Sequence, residues 1–286
     1  FAPYPSIHDC EEAEQLEREQ ESLDVVRTKL ETGKIFAVLI EPMQCEGGER
    51  YASARFHQQL NQLVRSMDIP LIYDEVQTGS HLGDRFFWHT GFELKDASGN
   101  PIGPTGVACA KKTQVGVAIN KYPSPFRETF CPAALIRGYA SAFTMLQYSD
   151  KIDQIEKQIS NRLDELTSRH DELIRHPRNR GLAFSFDLNN KEVLANFIKK
   201  RFDRGLLFYP AGTNTARFRL NLSFSTDDID LLFNQIEDCI SGSNHTNPSI
   251  SLPDLSNVDA NYRFCENMVQ SRVKKATYKL ELAIEK

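Results

Sequence analysis

Two stretches of this chain carry residue types that can do covalent chemistry. Ile72-Tyr73-Asp74-Glu75-Val76-Gln77-Thr78-Gly79 puts an acid at the end of an apolar run. Ala110-Lys111-Lys112-Thr113-Gln114 puts a lysine in the loop after the next short apolar run. A carboxylate can keep a ring nitrogen protonated, so that the ring acts as an electron sink. A lysine amine can hold an aldehyde as an imine and then move protons. Those are the two groups that pyridoxal 5'-phosphate (PLP) takes from a protein. Asp74 is then the partner of the ring nitrogen, because a buried carboxylate needs a cationic partner. The plain alternative is a strand-end acid that caps a turn. Lys111 is the candidate for cofactor attachment: an amine beside a cationic ring and a second ammonium is pushed toward its neutral, nucleophilic form. Lys112 competes for that role, and a surface pair of lysines is the alternative for both.

The elements that must position these residues alternate in type. Residues 9–32 have a charged helical pattern, with Asp9 as a possible N-cap and Gly33 just past the end. Residues 35–40 form a short continuous apolar run, suited to a parallel strand buried on both faces. An amphipathic helix over 54–67, a strand over 70–73 and another over 106–109 complete a βαβ pattern. Ligands in such sheets bind beyond the carboxyl ends of the strands. Glu41, Asp74 and Lys111 follow successive strands, so all three are expected along one edge of the sheet. Residues 89–107 are rich in turn formers and read as a surface loop.

Past Pro123 and Pro125 the texture changes. Helices are expected over 133–147, 150–175, 191–204 and 226–240, and strands over 181–188, 206–209 and 216–220. Thr226 suits the last helix as N-cap, and Asp227 and Asp228 suit its dipole. The fold class expected is α/β: part of a parallel-rich large domain over residues 1–125, then a smaller C-terminal α+β domain over 126–240. Residues 241–261 shift to Ser, Asn, Pro and Asp and read as a linker. Residues 262–286 are a helix-prone extension with a basic side.

Composition narrows the classes. The chain has 286 residues, a formal net charge of -5, 40% hydrophobic and 26% charged residues, ordinary values for a globular protein. That charge gives no reason to expect nucleic acid, and no apolar run approaches a membrane span. The six cysteines show no paired spacing, so reduced thiols in a cytoplasmic setting are expected. The seven histidines form no HExxH-like cluster, so no metal site is expected.

Several segments, taken in order, resemble the class III (ω-type) aminotransferases, a branch of the fold-type I PLP enzymes. Glu41-Pro42-Met43-Gln44-Cys45-Glu46-Gly47-Gly48-Glu49 is similar to the family's Glu-Pro-[Ile/Val]-Gln-Gly-Glu-Gly-Gly segment. Tyr73-Asp74-Glu75-Val76-Gln77-Thr78-Gly79 resembles its Phe-Asp-Glu-Val-Gln-Thr-Gly, and Phe87-Trp88-His89 its Phe-Trp-Ala-His. Ala110-Lys111-Lys112-Thr113-Gln114-Val115 resembles the Gly-Lys-Lys-Thr-Gln-Val of lysine 6-aminotransferases, and more loosely the Ser-Lys-Lys of 4-aminobutyrate aminotransferases. Ala216-Arg217-Phe218-Arg219 resembles the late Val-Arg-Phe-Arg. The resemblance spans roughly residues 1 to 240.

The resemblance implies a fold-type I large domain, PLP on Lys111 and Asp74, and a homodimer. It also implies Val76 packed on the ring, Gln77 bonded to the ring's 3-oxygen and Thr129 reaching a cofactor phosphate across the dimer interface. Glu41 and Arg217 resemble the family's switch pair, with Arg219 as the alternative arginine. The arginine forks a substrate α-carboxylate, and the glutamate neutralises it when an ω-amino group is presented. A structural salt bridge is the other reading of that pair. The implied reaction passes an amino group from a lysine- or 4-aminobutyrate-like donor to 2-oxoglutarate. Another PLP reaction, such as a mutase or decarboxylase, and a non-catalytic homologue are the alternatives.

The sequence departs from the family at Cys45, at Cys131-Pro132-Ala133, at Val115-Gly116-Val117 and at Leu220-Asn221. No Gly-Ser/Thr phosphate cup at a helix start accompanies the motifs, so the chain is expected to be the C-terminal portion of a longer protein.

Overall fold

The computed structural model describes residues 1–122 and 131–241. Two helices flank the first sheet. α1 (Glu12–Glu31) ends just before Gly33, whose φ of 67° lies in the left-handed region glycine tolerates. α2 (Ala54–Ser66) is capped by Ser53, whose hydroxyl accepts the Phe56 amide at 3.0 Å. Phe56, Leu60, Leu63 and Val64 recur at helical spacing and bury on one side. Glu19 of α1 is buried and takes hydrogen bonds from Ser53 (2.6 Å) and Arg55 (2.8 Å), tying the two helices.

The first sheet holds β1 (Val38–Ile40), β4 (Leu71–Glu75), β5 (Gly106–Cys109) and β6 (Val117–Asn120), in the order β1-β4-β5-β6. β1, β4 and β5 run parallel, with Ile40 beside Tyr73 and Glu75 beside Cys109; β6 returns antiparallel to β5. The carboxyl ends of the three parallel strands therefore share one edge. A small hairpin of β2 (Met43–Gln44) and β3 (Arg50–Tyr51) carries the turn between them. Below this sheet, Phe56, Leu60, Leu71, Tyr73 and Trp88 form one core.

The second sheet is antiparallel, in the order β7 (Ile174–Arg180), β8 (Ala183–Leu188), β10 (Thr215–Arg219), β9 (Tyr209–Ala211). α4 (Asp150–Arg169), α5 (Lys191–Lys200) and α6 (Thr226–Ser241) pack on it around stacked Phe184, Phe218 and Phe233. α4 contributes Ile152, Ile155, Ile159, Leu163 and Leu166, a 3–4 spacing that turns one stripe to the core. α3 (Pro132–Gln147) connects the two parts, and residues Phe1–Ser241 form one compact unit.

Several local expectations change. The helix expected over 150–175 stops at Arg169, and Ile174–Arg180 is a strand. Pro177 disguises it: the pairing with β8 breaks between Arg175 and Arg178, the kind of irregularity where a strand accepts proline. β1 is an edge strand rather than one buried on both faces; its middle residue Leu39 is exposed, as is Phe36 just before it. β6 and the β2–β3 hairpin were not anticipated, because β6 is exposed along its whole length and the hairpin strands have two residues each. The last-sheet strand expected over 206–209 instead begins at Tyr209. Thr129, residues 242–261 of the expected linker and the extension over 262–286 lie outside the described residues.

Candidate active site

Asp74 is the fourth residue of β4, on the alternate side from buried Tyr73 and Glu75. Its Oδ1 accepts the amide of Val76 at 3.0 Å, which fixes the carboxylate over the turn that follows. Glu75 anchors the same turn from beneath. Its fully buried carboxylate accepts from the Thr78 hydroxyl (2.7 Å), the Trp88 amide (3.0 Å), and the His89 amide and Nδ1 (both 2.8 Å). That set engages both oxygens of the buried carboxyl group without a lysine or arginine. The loop carrying Val76 and Gln77 is therefore rigidly rooted.

Lys111 and Lys112 lie on one turn of 3-10 helix, Lys111–Thr113, directly after β5. Lys111 has a φ of 55°, unusual for a residue with a Cβ. It is exposed and opens on a cavity of about 590 Å³, and Glu46, Gln77, Leu207, Tyr209, Arg217 and Arg219 share its wall. Lys112 turns the other way, and its Nζ donates to the carbonyl of His81 at 2.9 Å. Burial pulls its ammonium down to a pKa of about 8, with Arg219 adding to the shift.

Arg217, on β10, is nearly buried at the base of this cavity. Its Nη2 lies 2.8 Å from Glu46 Oε1, and its Nη1 lies 3.5 Å from Glu49 Oε1 and 3.5 Å from Gln77 Oε1. Gln77 in turn donates to Glu46 at 3.0 Å. Hydrogen bonding to Arg217 holds the Glu46 carboxyl below its usual range. Arg219 pairs with the buried Glu49.

Glu41 does not join this group. Its Oε2 accepts the Cys45 amide at 3.1 Å, and burial raises its pKa, with Asp74 nearby adding to the rise. Glu41, Gln44 and Asp74 instead line a second cavity of about 410 Å³ beside residues Phe1–Pro5 and β1. The expected partner of Arg217 was Glu41; the carboxylates that meet the guanidinium are Glu46 and Glu49. The loop holding these two is gripped from the second sheet. Arg178 donates from Nε to the Glu49 carbonyl (2.9 Å) and from Nη2 to the Gly48 carbonyl and Asp187, and the Gly212 amide donates to the Glu46 carbonyl at 2.8 Å.

The sequence profile of the class-III aminotransferases matches residues 1–95 and 132–240. The chain belongs to the class-III aminotransferase family. An L-lysine-epsilon aminotransferase of Mycobacterium tuberculosis is 30% identical over 230 residues, covering 74% of this chain and 49% of that protein. A mitochondrial 4-aminobutyrate aminotransferase of Sus scrofa is 27% identical over 267 residues, covering 84% of this chain and 50% of its own length. The structure of lysine aminotransferase from M. tuberculosis superimposes with a TM-score of 0.75 at 26% identity, over 84% of this chain and 58% of that one. The chain thus spans about half the length of the curated relatives it matches.

Class-III aminotransferases use PLP, and the fold is that of the fold-type I enzymes. The donor set of this chain fits the ring end of that cofactor. A carboxylate near the end of β4, an amide on the loop that follows and a primary amine just after β5 stand at the carboxyl edge of a parallel sheet; the amide and the amine share one cavity, and the carboxylate lines another. Among the described residues no helix is long and apolar enough to cross a membrane.

Proposed function

We propose that this class-III aminotransferase chain carries the ring-binding and carboxylate-binding residues of a PLP-dependent amino-group transfer. The donor is an ω-amino compound, lysine- or 4-aminobutyrate-like, and the acceptor is 2-oxoglutarate. The observation that carries the reading is the single cavity shared by Lys111, Gln77, Arg217 and Glu46. Asp74, Val76, Gln77 and Lys111 would hold the ring, and Thr129 of a second copy in a homodimer would meet the phosphate.

When bound, PLP supplies an electron sink that makes the hydrogen on the amine-bearing carbon acidic. Asp74 keeps the proton on the ring nitrogen, so the sink stays effective. The Lys111 amine takes the proton from the substrate carbon as a general base and returns it one position away as a general acid. Arg217 forks the carboxylate of the 2-oxo acid, which places the acceptor carbon within reach of that amine. Glu46 competes for the same guanidinium. With an ω-amino donor in place the Glu46–Arg217 pair stays closed; with a dicarboxylate the substrate displaces Glu46. Glu41 lines the other cavity, together with Asp74.

Incubating the protein with PLP, 2-oxoglutarate and either L-lysine or 4-aminobutyrate tests the reading. Glutamate should form with at least one of the two donors. A preparation that carries PLP covalently on Lys111 yet makes no glutamate from either donor would overturn it.

A further inference from the structure

Lys111 and Lys112 are neighbours on one turn, yet only the first faces the cavity. The second crosses to the loop that follows Gln77, where its Nζ reaches the His81 carbonyl at 2.9 Å. That loop is an awkward one. Ser80 and His81 both have left-handed backbones, with φ of 63° and 56°, and both are buried. Residues so placed persist only where the surroundings over-determine them. The loop is rooted at one end by Glu75 through Thr78, and at the other the Leu82 carbonyl accepts the amide of Leu182. Between these two points, the ammonium of Lys112 holds it.

The lysine turn needs the same support. Lys111 itself has a φ of 55°. Behind it, the Ser141 hydroxyl donates to the Lys112 carbonyl at 2.7 Å, and the Thr113 hydroxyl donates to the Val115 carbonyl at 2.7 Å. These bonds fix the turn to α3 and to itself. Lys112 alone of this group fixes it to the loop that bears Val76 and Gln77. A half-buried ammonium on a carbonyl is a charge-assisted link, and an apolar side chain there would leave the His81 carbonyl without it.

We propose that Lys112 is a positioning residue, whose ammonium bolts the turn carrying Lys111 to the loop carrying Gln77 and so sets where the Lys111 amine stands relative to the ring-binding residues. The role rests on the reading of Lys111 as the attachment lysine. It also accounts for a lysine pair of which only one member reaches the cavity. The depressed pKa of about 8 for Lys112 agrees with a side chain held away from solvent.

Three measurements on the full chain test it. The first needs no variant: in competitive acylation followed as a function of pH and expressed as the rate of the neutral amine, Lys112 should react about tenfold more slowly than Lys111, since the bond to His81 shields it; equal rates of the neutral amines overturn the bolt. The second compares Lys112→Met with Lys112→Arg by amide hydrogen exchange. In Lys112→Met, peptides covering 78–82 and 111–115 should both exchange about tenfold faster while β8 and β10 do not change, and Lys112→Arg should restore most of the protection. Unchanged exchange in either peptide sinks the proposal. The third is borohydride trapping of PLP with peptide mass mapping: the label on Lys111 should form about tenfold more slowly in Lys112→Met and recover in Lys112→Arg. Trapping at the parent rate in a folded Lys112→Met variant overturns the positioning role. A label mapped to another lysine in the parent chain overturns the Lys111 reading and the positioning role with it, whatever the exchange result says of the bolt.

Discussion

Glu46 Oε1 stands 2.8 Å from Nη2 of Arg217, while Glu41 is turned to the amide of Cys45. The two glutamates are five residues apart on either side of a hairpin strand, and of the two it is Glu46 that pairs with the arginine. Glu46→Gln should therefore raise the affinity of the chain for glutarate, a dicarboxylate with no reacting group. Glu46 is largely exposed, so the gain is modest, about two- to fivefold. Glu41→Gln should leave glutarate binding unchanged. Titration calorimetry on the two variants separates these outcomes, and a larger effect from Glu41 would reverse the assignment.

Asp74→Asn should leave the fold intact and remove most turnover. The amide cannot hold a proton on a ring nitrogen, and loss of the ring's charge partner is worth about three orders of magnitude in rate, each tenfold being about 1.4 kcal/mol. The measurement is kcat with 2-oxoglutarate and an ω-amino donor. Near-normal turnover would take Asp74 out of the site.

Acid should weaken the protein well before its carboxylates titrate. His57 is fully buried, stacks on Phe92 at 3.8 Å and meets the Tyr73 hydroxyl at 2.9 Å; burial pulls its pKa to about 3. His8 is pulled to about 3 by burial and by Arg178, and its Nε2 accepts the Tyr51 amide. Both are neutral when folded and take protons near pH 6.5 when unfolded. Their contribution is intact above that pH and is lost as pH falls from 6.5 toward 3, because only the unfolded state binds protons in that window. Denaturant midpoints should decline from pH 7 to pH 5. His57→Phe should lower stability at pH 7 but flatten the decline by about 1 kcal/mol per pH unit. A pH-independent midpoint over this range would refute the neutral, buried histidines.

Gly181 joins β7 to β8 with a φ of 60°, and a Cβ there would come within 2.4 Å of the carbonyl carbon of Gly83. Neither backbone can yield cheaply. Gly181→Ala should cost about 3 kcal/mol or more. Gly99 has a φ of 83° with open space around it, so Gly99→Ala should cost only about 1 kcal/mol. Equilibrium denaturation of the two variants checks the contrast; equal losses would mean that the close approach to Gly83 is absent in solution.

Much of this site is legible in the sequence because parallel strands end on a common edge. The apolar runs before Asp74 and Lys111 were enough to place both residues there, and β4 and β5 pair in the register that this requires. What could not be read was direction within short segments. Three residues of 3-10 helix carry no periodicity that tells an outward lysine from an inward one. Between Glu41 and Glu49, the hairpin of β2 and β3 decides which carboxylate reaches across to Arg217, and strands of two residues leave no pattern. The signal that was available for Glu46 is its place among glycines, Gly47 and Gly48, which lets a loop turn its side chain outward. β7 stayed hidden because Pro177 sits inside it, and the end of α4 because His170, not glycine, follows Arg169.

The grip of Arg178 on the carbonyls of Gly48 and Glu49 makes the charge balance of the cavity a property of the whole molecule. Glu46 and Glu49 belong to the turn of the β2–β3 hairpin that follows β1, but their backbone is held by an arginine of β7 and the amide of Gly212 next to β9, while Arg217 comes from β10. Acid and base of the pair are delivered by different sheets and meet only where those sheets are latched. Any partial opening that frees β7 would release the hairpin and separate the pair. Anion binding and global unfolding are thereby coupled, and a ligand that bridges Arg217 would stabilise the contact between the sheets as much as it fills the cavity.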